Sequence, residues 1–152
     1  MIIFAFLIGL VAGLRVLTPL AAISWAAQFH WLQMQGTWLG FLGFAATAYI
    51  TTALALVELV GDKLPGTPSR KVPLQFGTRI VVGALCGAAL GAQAGAMLGG
   101  LFAGAVGAVV GTLGGATLRA QLAKALGKDL PAALLEDVVA IGAALLIASR
   151  FA

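Results

Sequence analysis

The chain has 152 residues, of which 61% are hydrophobic and only 9% are charged. Soluble domains carry about 25% charged residues, and a mean hydropathy of +1.07 leaves too little polar surface to cover a soluble fold. These values exclude a soluble globular protein and predict an all-α, polytopic membrane helix bundle that forms a single domain in a lipid bilayer.

Five membrane spans fit the apolar stretches. The charge-free stretch at 80–118 would be roughly 60 Å long as one helix, twice a bilayer core, so we expect a hairpin of two spans that turns in GAQAG at 91–95. An amphipathic segment after the fourth span is either an interfacial helix or the continued end of that span. The predicted spans are 2–28, 38–62, 76–93, 96–118 and 131–150, and the amphipathic segment is 118–128.

The first predicted span contains Arg15 near its middle and Pro19 four residues later. It has no basic residue before its apolar run, so we expect a retained span rather than a signal peptide. A lone arginine at the bilayer centre is costly, so Arg15 should face protein or water. Pro19 removes the donor for the Arg15 carbonyl and disfavours helical dihedrals at Thr18, which predicts a span broken around residues 15–19. Transporters place substrate sites at such breaks.

A small and polar face runs along the second predicted span at helical spacing. Asp62 should lie near the rim of the membrane, and Glu58, one turn deeper, is the predicted partner of Arg15. The threonines of this face would line a polar path beside the charges. The face comprises Gly43, Thr47, Thr51, Ala55, Glu58 and Asp62.

Seven of the nine basic residues lie in the loop around 62–79 or in the segment 119–128. The positive-inside rule makes that face cytoplasmic. The opposite loop has no formal charge and contains all three tryptophans, which are typical of the outer interface. The N-terminus is then predicted inside and the C-terminus outside. This clustering explains the net charge of +4 without a nucleic-acid partner.

Glycines recur at helical spacing through the third and fourth predicted spans, although glycine lowers helix propensity. Such spacing predicts close approach of helices. The partner is left open, because the spans could pack on each other, form the interface of a homo-oligomer, with a dimer favoured, or line a pore as a glycine zipper. The glycines with this predicted packing role are Gly83, Gly87, Gly91, Gly95, Gly99, Gly107, Gly111 and Gly115.

The fifth predicted span places Glu136 and Asp137 side by side, one to two turns inside the membrane. Two carboxylates in an apolar medium would suit proton coupling or cation binding. They could equally pair with Arg119, Arg15 or Arg79 and only fix the fold. Both interpretations stay open.

A weak internal repeat relates the two halves of the chain. GLR at 13–15 is echoed by TLR at 117–119, and ALVELV at 55–60 by ALLEDV at 133–138. With five spans, the two halves would run in opposite directions. This arrangement predicts an inverted repeat, a common plan among transporters.

Three motifs together resemble a bacterial family of integral membrane proteins, catalogued as domain of unknown function 4126. They are GLRxxTPxAxxSW at 13–25, ELVGDKLPxTPSR at 58–70 and ALLEDxxAI at 133–141. The resemblance covers nearly the whole chain and implies a multi-span protein of the bacterial inner membrane. It implies no activity, substrate or cofactor.

The stretch DKLPGTPSR at 62–70 combines two prolines, a glycine and hydroxyls with basic side chains. A rigid basic turn of this kind could bind an anionic lipid headgroup or a phosphate. It could also be an ordinary charged loop that sets orientation. The candidate headgroup ligands are Lys63, Ser69, Arg70 and Lys71.

Two functions fit these patterns. The first is a small secondary transporter or channel-like permease for a small polar solute, for which Arg15 favours an anion and the acids offer proton coupling. The alternative is a non-transport membrane module, lipid-binding or scaffolding, whose buried charges are structural. We predict no enzyme, cofactor or metal, because no catalytic set or ligand cluster occurs and Cys86 is a lone cysteine. The predicted pathway residues are Arg15, Thr18, Pro19, Thr47, Thr51, Glu58, Asp62, Arg119, Glu136 and Asp137.

Overall fold

The computed structural model describes residues 1–34, 36–63 and 70–152, and within these ranges it contains six α-helices, one short 3-10 helix and no strand. The prediction of an all-α helix bundle is confirmed. Three of the helices, α4, α5 and α6, are long and apolar enough to cross a membrane. In chain order the elements are α1 (Ile2–Leu14), α2 (Leu17–Gln28), the 3-10 helix (Trp38–Gly43), α3 (Ala45–Gly61), α4 (Pro73–Ala92), α5 (Met97–Leu126) and α6 (Asp129–Ser149).

The first predicted span is broken between α1 and α2. Arg15 is extended, with φ −137° and ψ 121°, and α2 begins two residues later. Thr18 is helical, contrary to the prediction. Pro19 lies in the first turn of α2, where a backbone N–H has no partner within the helix, so proline is tolerated there. The break therefore lies at residues 15–16, within the predicted range 15–19 and before Thr18.

Helices α1 and α2 form a hairpin. A Cβ on Gly9 would overlap the backbone of Gly104, and one on Gly13 would overlap that of Gly111, so α1 and α5 run in the same direction. After α2, the chain returns to the turn between α4 and α5. There the Gln33 N–H donates to Gln93 Oε1 at 3.0 Å.

The hairpin defines two ends of the bundle. We call the end at residues 93–96, where α4 turns into α5, the turn end. The opposite end, where α3 and α5 finish and α4 and α6 begin, we call the charged end. The start of α1 and the finish of α2 both lie at the turn end, and the hairpin tip at residues 15–16 points toward the charged end.

This arrangement corrects three predictions. Residues 2–28 do not cross the bundle once, because α1 and α2 return to the same end. The two termini lie at the same end of the bundle and not at opposite ends, because the rings of Phe4 and Phe151 are in edge contact with centroids 5.9 Å apart. The arginine-bearing helices α1 and α5 run in the same direction, so these segments do not form the predicted inverted pair.

Other boundaries differ less from the predictions. The second predicted span, 38–62, begins with the 3-10 helix and turns at Phe44, which is extended. The predicted hairpin between α4 and α5 is confirmed, with Gly95 at φ +64° in its turn. The amphipathic segment 118–128 is mainly the continuation of α5, which ends before Gly127 at φ +69°.

The glycine spacing packs α1, α4 and α5 against one another within the chain. A Cβ on Gly83 or Gly87 would overlap the backbone of α5, and one on Gly107 would overlap that of α1. Gly91 and Gly111 make the same kind of backbone contact. Small residues allow this close approach, which stabilises helix pairs in lipid.

The remaining three predicted packing glycines differ from these. Gly99 and Gly115 face the side chains of Ile2 and Leu14, whereas Gly95 forms the turn and has nothing within 4 Å of the position of a Cβ. The packing partner that the sequence left open is therefore α1 together with the α4–α5 hairpin.

Candidate functional site

All five acidic residues of the chain lie at the charged end, in one group with five of the basic residues found there. These residues lie near the ends of their helices. They follow α1, lie at the end of α3 and just after it, precede α4 or lie in its first half, and lie in the last third of α5 and the first half of α6. The formal charges of this set cancel. We call it the charge cluster; its members are Arg15, Glu58, Asp62, Lys63, Arg70, Arg79, Arg119, Asp129, Glu136 and Asp137.

Arg15 occupies the tip of the hairpin and is fully buried. Its Nη1 lies 2.8 Å from Asp62 Oδ2, and its Nη2 lies 2.5 Å from Asp137 Oδ1. Both contacts are ion pairs by distance, but none of the guanidinium nitrogens has the alignment of a hydrogen bond with any described residue. Two carboxylates from different helices thus balance a charge that would be costly alone in an apolar interior.

Glu58 does not pair with Arg15, which corrects the prediction. Its two carboxylate oxygens accept the backbone N–H groups of Val16 and Leu17 at 2.7 and 2.8 Å. These groups start α2 and have no carbonyl partner within that helix. Glu58 therefore acts as a cap supplied by α3, and its negative charge suits the N-terminal end of a helix dipole.

Arg79 performs the complementary role at the end of α1. Its Nη1 donates to the carbonyls of Gly13 and Leu14 at 2.9 and 3.0 Å, and the residue is buried. A basic side chain suits the C-terminal end of a helix. One acid and one base thus satisfy both helix ends that the break creates. The sequence suggested Arg79 only as a partner of the acids. The predicted break around 15–19 was the available signal for its role, because a helix that ends there leaves its last carbonyls without partners.

The acids of α6 are paired with cations. Asp137 Oδ2 lies 2.5 Å from Lys63 Nζ, which also donates to the Leu59 carbonyl. Arg70 holds Glu136 with two hydrogen bonds of 2.5 and 3.0 Å. Lys63 and Arg70, predicted headgroup ligands, therefore have intramolecular partners in this structure. Lys71 is exposed, and Ser69 lies outside the described residues.

Arg119 links the remaining acids. It donates to Asp62 Oδ2 at 2.5 Å and to Asp129 at 2.7 Å, and its Nη1 is 3.6 Å from Glu136 Oε2. The side chain of Asp129 is 63% exposed, so this residue marks the rim of the cluster. Asp62 joins the two arginines because both Arg15 and Arg119 contact the same oxygen. The pathway residues Arg15, Asp62, Arg119, Glu136 and Asp137 are thus brought together.

The predicted threonines are not part of the cluster. The Thr47 hydroxyl donates to the Phe41 carbonyl and that of Thr51 to the Thr47 carbonyl, both at 2.7 Å. Thr51 precedes Glu58 by seven residues, about 10 Å along the helix axis. Thr18 differs, because its hydroxyl is buried and has no hydrogen-bond partner among the described residues.

A cleft of about 480 Å³ lies between α2, α3 and α6 and is lined mainly by apolar side chains. One end of its lining includes Thr18, and the other includes Phe29 and Trp31. Trp25 lines the wall and donates from Nε1 to the Thr52 hydroxyl at 2.9 Å. No sequence pattern predicted this cleft, because it depends on the separation of α3 from α6.

The described ranges contain no group of three or more His, Cys, Asp or Glu side chains placed to hold a metal ion. Large apolar side chains instead cover the outside of α3, α4 and α6, where Val57, Leu74 and Val138 are among those exposed. An apolar exterior, helices of membrane-crossing length and a buried, paired charge cluster are features of helical membrane proteins.

The chain belongs to the family described as Domain of unknown function (DUF4126), whose model matches residues 2–149. This match agrees with the resemblance carried by the three sequence motifs. The comparisons with curated proteins and with solved structures found no match.

Proposed function

We propose that the protein is a carrier of an anionic group in a bacterial inner membrane, crossed by four helices and entered by a re-entrant hairpin. Helices α3 to α6 would cross. The hairpin arms of 13 and 12 residues are each about 20 Å long or less, too short for a core of about 30 Å. Irregular backbone at membrane depth is tolerated only inside protein or along a cavity, and capping by Glu58 and Arg79 meets that condition.

The positive-inside rule orients this arrangement. The charged end would be cytoplasmic, and both termini would lie on the opposite side. The net charge of +4 is the difference between nine basic and five acidic residues, and the cluster itself is neutral. The excess therefore comes from Lys71, Lys124, Lys128 and Arg150, of which the first three belong to the charged end. Their field would raise the local concentration of anions there.

The observation that carries the proposal is Arg15, buried at the tip of a broken hairpin between carboxylates of two different helices. An anion competes with Asp62 and Asp137 for this guanidinium. Neither ion pair of Arg15 is an aligned hydrogen bond, but Asp62 Oδ2 also accepts a hydrogen bond from Arg119, whereas Asp137 Oδ1 accepts none from the described residues. The oxygen of Asp137 is therefore the one open to a proton. A proton on Asp137 would release Arg15 to one anion, and the anion and proton would leave together. Transport of one monovalent anion together with one proton would move no net charge across the membrane.

A homodimer is part of the proposal. Four crossing helices surround the hairpin. The residues that line the cleft do not form a continuous polar passage from the charge cluster to the turn end. A second copy on another face of the bundle would supply the missing wall of a pathway, while the cleft stays open to lipid. Chemical cross-linking of the purified protein in bilayer nanodiscs would measure the number of copies.

Proteoliposomes containing an internal pH dye would test the carrier. We would add inorganic phosphate, methyl phosphate or octyl phosphate outside and record anion-dependent proton entry. Asp137→Asn is the test variant and Asp129→Asn is its matched control, because Asp129 is largely exposed and does not contact Arg15. We expect Asp137→Asn to lose at least about tenfold of the proton entry and the control to keep it. Absence of flux for every anion in folded wild-type protein, or equal flux in both variants, would contradict the proposal.

The second candidate, a non-transport membrane module that binds lipid or acts as a scaffold, has its own supporting observation. Each described side chain of the charge cluster has an intramolecular partner, as in a network that only holds the fold. Under this candidate, the swap of Arg70→Glu with Glu136→Arg should restore a fold that each single change weakens, and no variant should change flux. A charge swap that folds but abolishes proton-coupled flux would argue against it.

A further inference from the structure

The cleft ends next to the charge cluster on each of the three helices that line it. On α2 its last residue is Thr18, three residues after Arg15. On α3 it is Leu59, which adjoins Glu58, and on α6 it is Ile141, one turn after Asp137. The apolar cleft therefore ends beside the charge cluster, although no side chain of the cluster is part of its lining.

The lining of the cleft determines what it can hold. A small polar solute in this cavity would lose its hydration with few hydrogen bonds in return, which is unfavourable. A hydrocarbon chain would lose nothing by entering, and the volume of about 480 Å³ lies within the range of small-ligand sites. From Thr18 to Phe29 the cleft extends about 16 Å along α2, enough for an extended chain.

Thr18 supplies a second and independent observation. The residue lines the cleft and is 8% exposed, and its buried hydroxyl has no hydrogen-bond partner among the described residues. Buried hydroxyls are nearly always hydrogen-bonded, so an unpaired one indicates a missing partner. Its place at the junction of cleft and cluster suits an oxygen of a polar head that lies between the chain and Arg15.

We propose that the ligand of this site is an anionic amphiphile, with one hydrocarbon chain in the cleft and its acidic head at Thr18 and Arg15. The proposal rests on the carrier function and names its substrate class. In the proposed membrane the opening between α3 and α6 faces hydrocarbon, so the ligand enters sideways from the bilayer. A second copy of the chain is not the occupant, because a helix about 10 Å across would cover this cleft without entering it.

Fluorescence quenching of Trp25 tests the occupant directly, since this side chain lines the cleft. The protein with Trp31→Phe and Trp38→Phe retains Trp25 alone. We would place it in phosphatidylcholine vesicles and add phosphatidylglycerol or phosphatidylcholine with identical dibrominated chains. We expect the anionic lipid to quench Trp25 at several-fold lower mole fraction. Equal quenching by both lipids would mean that the cleft takes any chain, and it would overturn the proposal.

Thr18→Val removes the hydroxyl and keeps the shape of the side chain. Because the hydroxyl is unpaired, unfolding should be unchanged, while the preference for the anionic lipid should fall about fivefold, the worth of one hydrogen bond. Thr117→Val is the matched control, since that threonine is exposed on α5 and bonds only its own helix. An unchanged preference in Thr18→Val would contradict the role of Thr18. Should the double tryptophan variant not fold, the same lipids and Thr18→Val are compared in the protein with all three tryptophans.

The flux assay separates this proposal from the function on which it rests. Transport of octyl phosphate well above that of methyl phosphate supports both. Equal transport of phosphate, methyl phosphate and octyl phosphate keeps the carrier function and rejects the amphiphile. Lipid selectivity at Trp25 without any proton-coupled flux rejects the carrier and leaves a lipid-binding module.

Discussion

Arg15 and Glu58 show how single residues hold a helix break inside an apolar bundle. The break leaves N–H groups at the start of α2 and carbonyls at the end of α1, and Glu58 and Arg79 bond them. The charge of Arg15 is balanced separately, by Asp62 and Asp137. Capping and charge compensation are therefore carried by different side chains.

Glu58→Gln should destabilise the protein by about 1–2 kcal/mol, because the neutral amide has one acceptor oxygen and no charge for the helix dipole. Thermal unfolding in detergent would measure the loss. Glu58→Asp retains the charge but is shorter, so it should fall between Gln and wild type. Equal stability of Glu58→Gln and wild type would show that the cap contributes nothing.

Residue-level sequence reasoning located the break from Arg15 and Pro19 but assigned the wrong partner to Arg15. Helical spacing fixes the depth of an acid along α3, and Glu58 and Asp62 share one face one turn apart. The end of α1 decides which of these acids pairs with the Arg15 side chain and which accepts backbone N–H groups. No pattern within α3 encodes that position.

At the scale of elements, the glycines of α1, α4 and α5 form the packed half of the bundle. Gly104 lies where the three helices meet, since a Cβ there would overlap the Gly83 carbonyl and lie 3.0 Å from Gly87 Cα, and a Cβ on Gly9 would overlap Gly104 itself. The spacing predicted close packing. It could not predict that α1, a helix distant in sequence, is a third member.

Gly104→Ala should therefore lower stability strongly, by about 3 kcal/mol or more, because neighbouring backbones cannot yield as a flexible side chain can. Gly114→Ala is a matched control on the same helix, where nothing lies within 4 Å of the new Cβ. The control should be neutral or slightly stabilising, since alanine is the better helix former. Thermal unfolding of the two proteins would measure the difference, and equal melting temperatures would contradict the packing described here.

The hairpin was missed because the apolar stretch 2–28 fits a single crossing by composition. Its break divides it into arms of 13 and 12 residues, each below the roughly 17 residues that a membrane helix needs. The sequence was sufficient to predict that each arm is too short to cross. It was not sufficient to predict the direction of α2 after the break, because contacts with α3 and with the turn at Gln93 set that direction.

At the scale of the whole molecule, the hairpin makes the bundle asymmetric. One half is sealed by glycine contacts, and the other contains the cleft between α2, α3 and α6. The charged end collects every acid of the chain, whereas the turn end has both termini and the aromatic residues Trp25, Phe29 and Trp31. A carrier of anionic amphiphiles would use this asymmetry, with the charged head at one end and the chain directed to the other.

Cross-linking of Phe4→Cys with Phe151→Cys tests the re-entrant hairpin most directly, in a protein in which the buried Cys86 is replaced by alanine. If α1 and α2 return to the same end, the two cysteines lie near each other. Mild oxidation should then give an intramolecular disulfide far faster than in a pair at opposite ends, seen as a loss of two hydrogens in the intact mass. Phe4→Cys with Leu130→Cys is the matched control and should stay reduced, because Leu130 begins α6 at the charged end. A disulfide in the control pair, with none between positions 4 and 151, would show that residues 2–28 cross the membrane once and would contradict the hairpin.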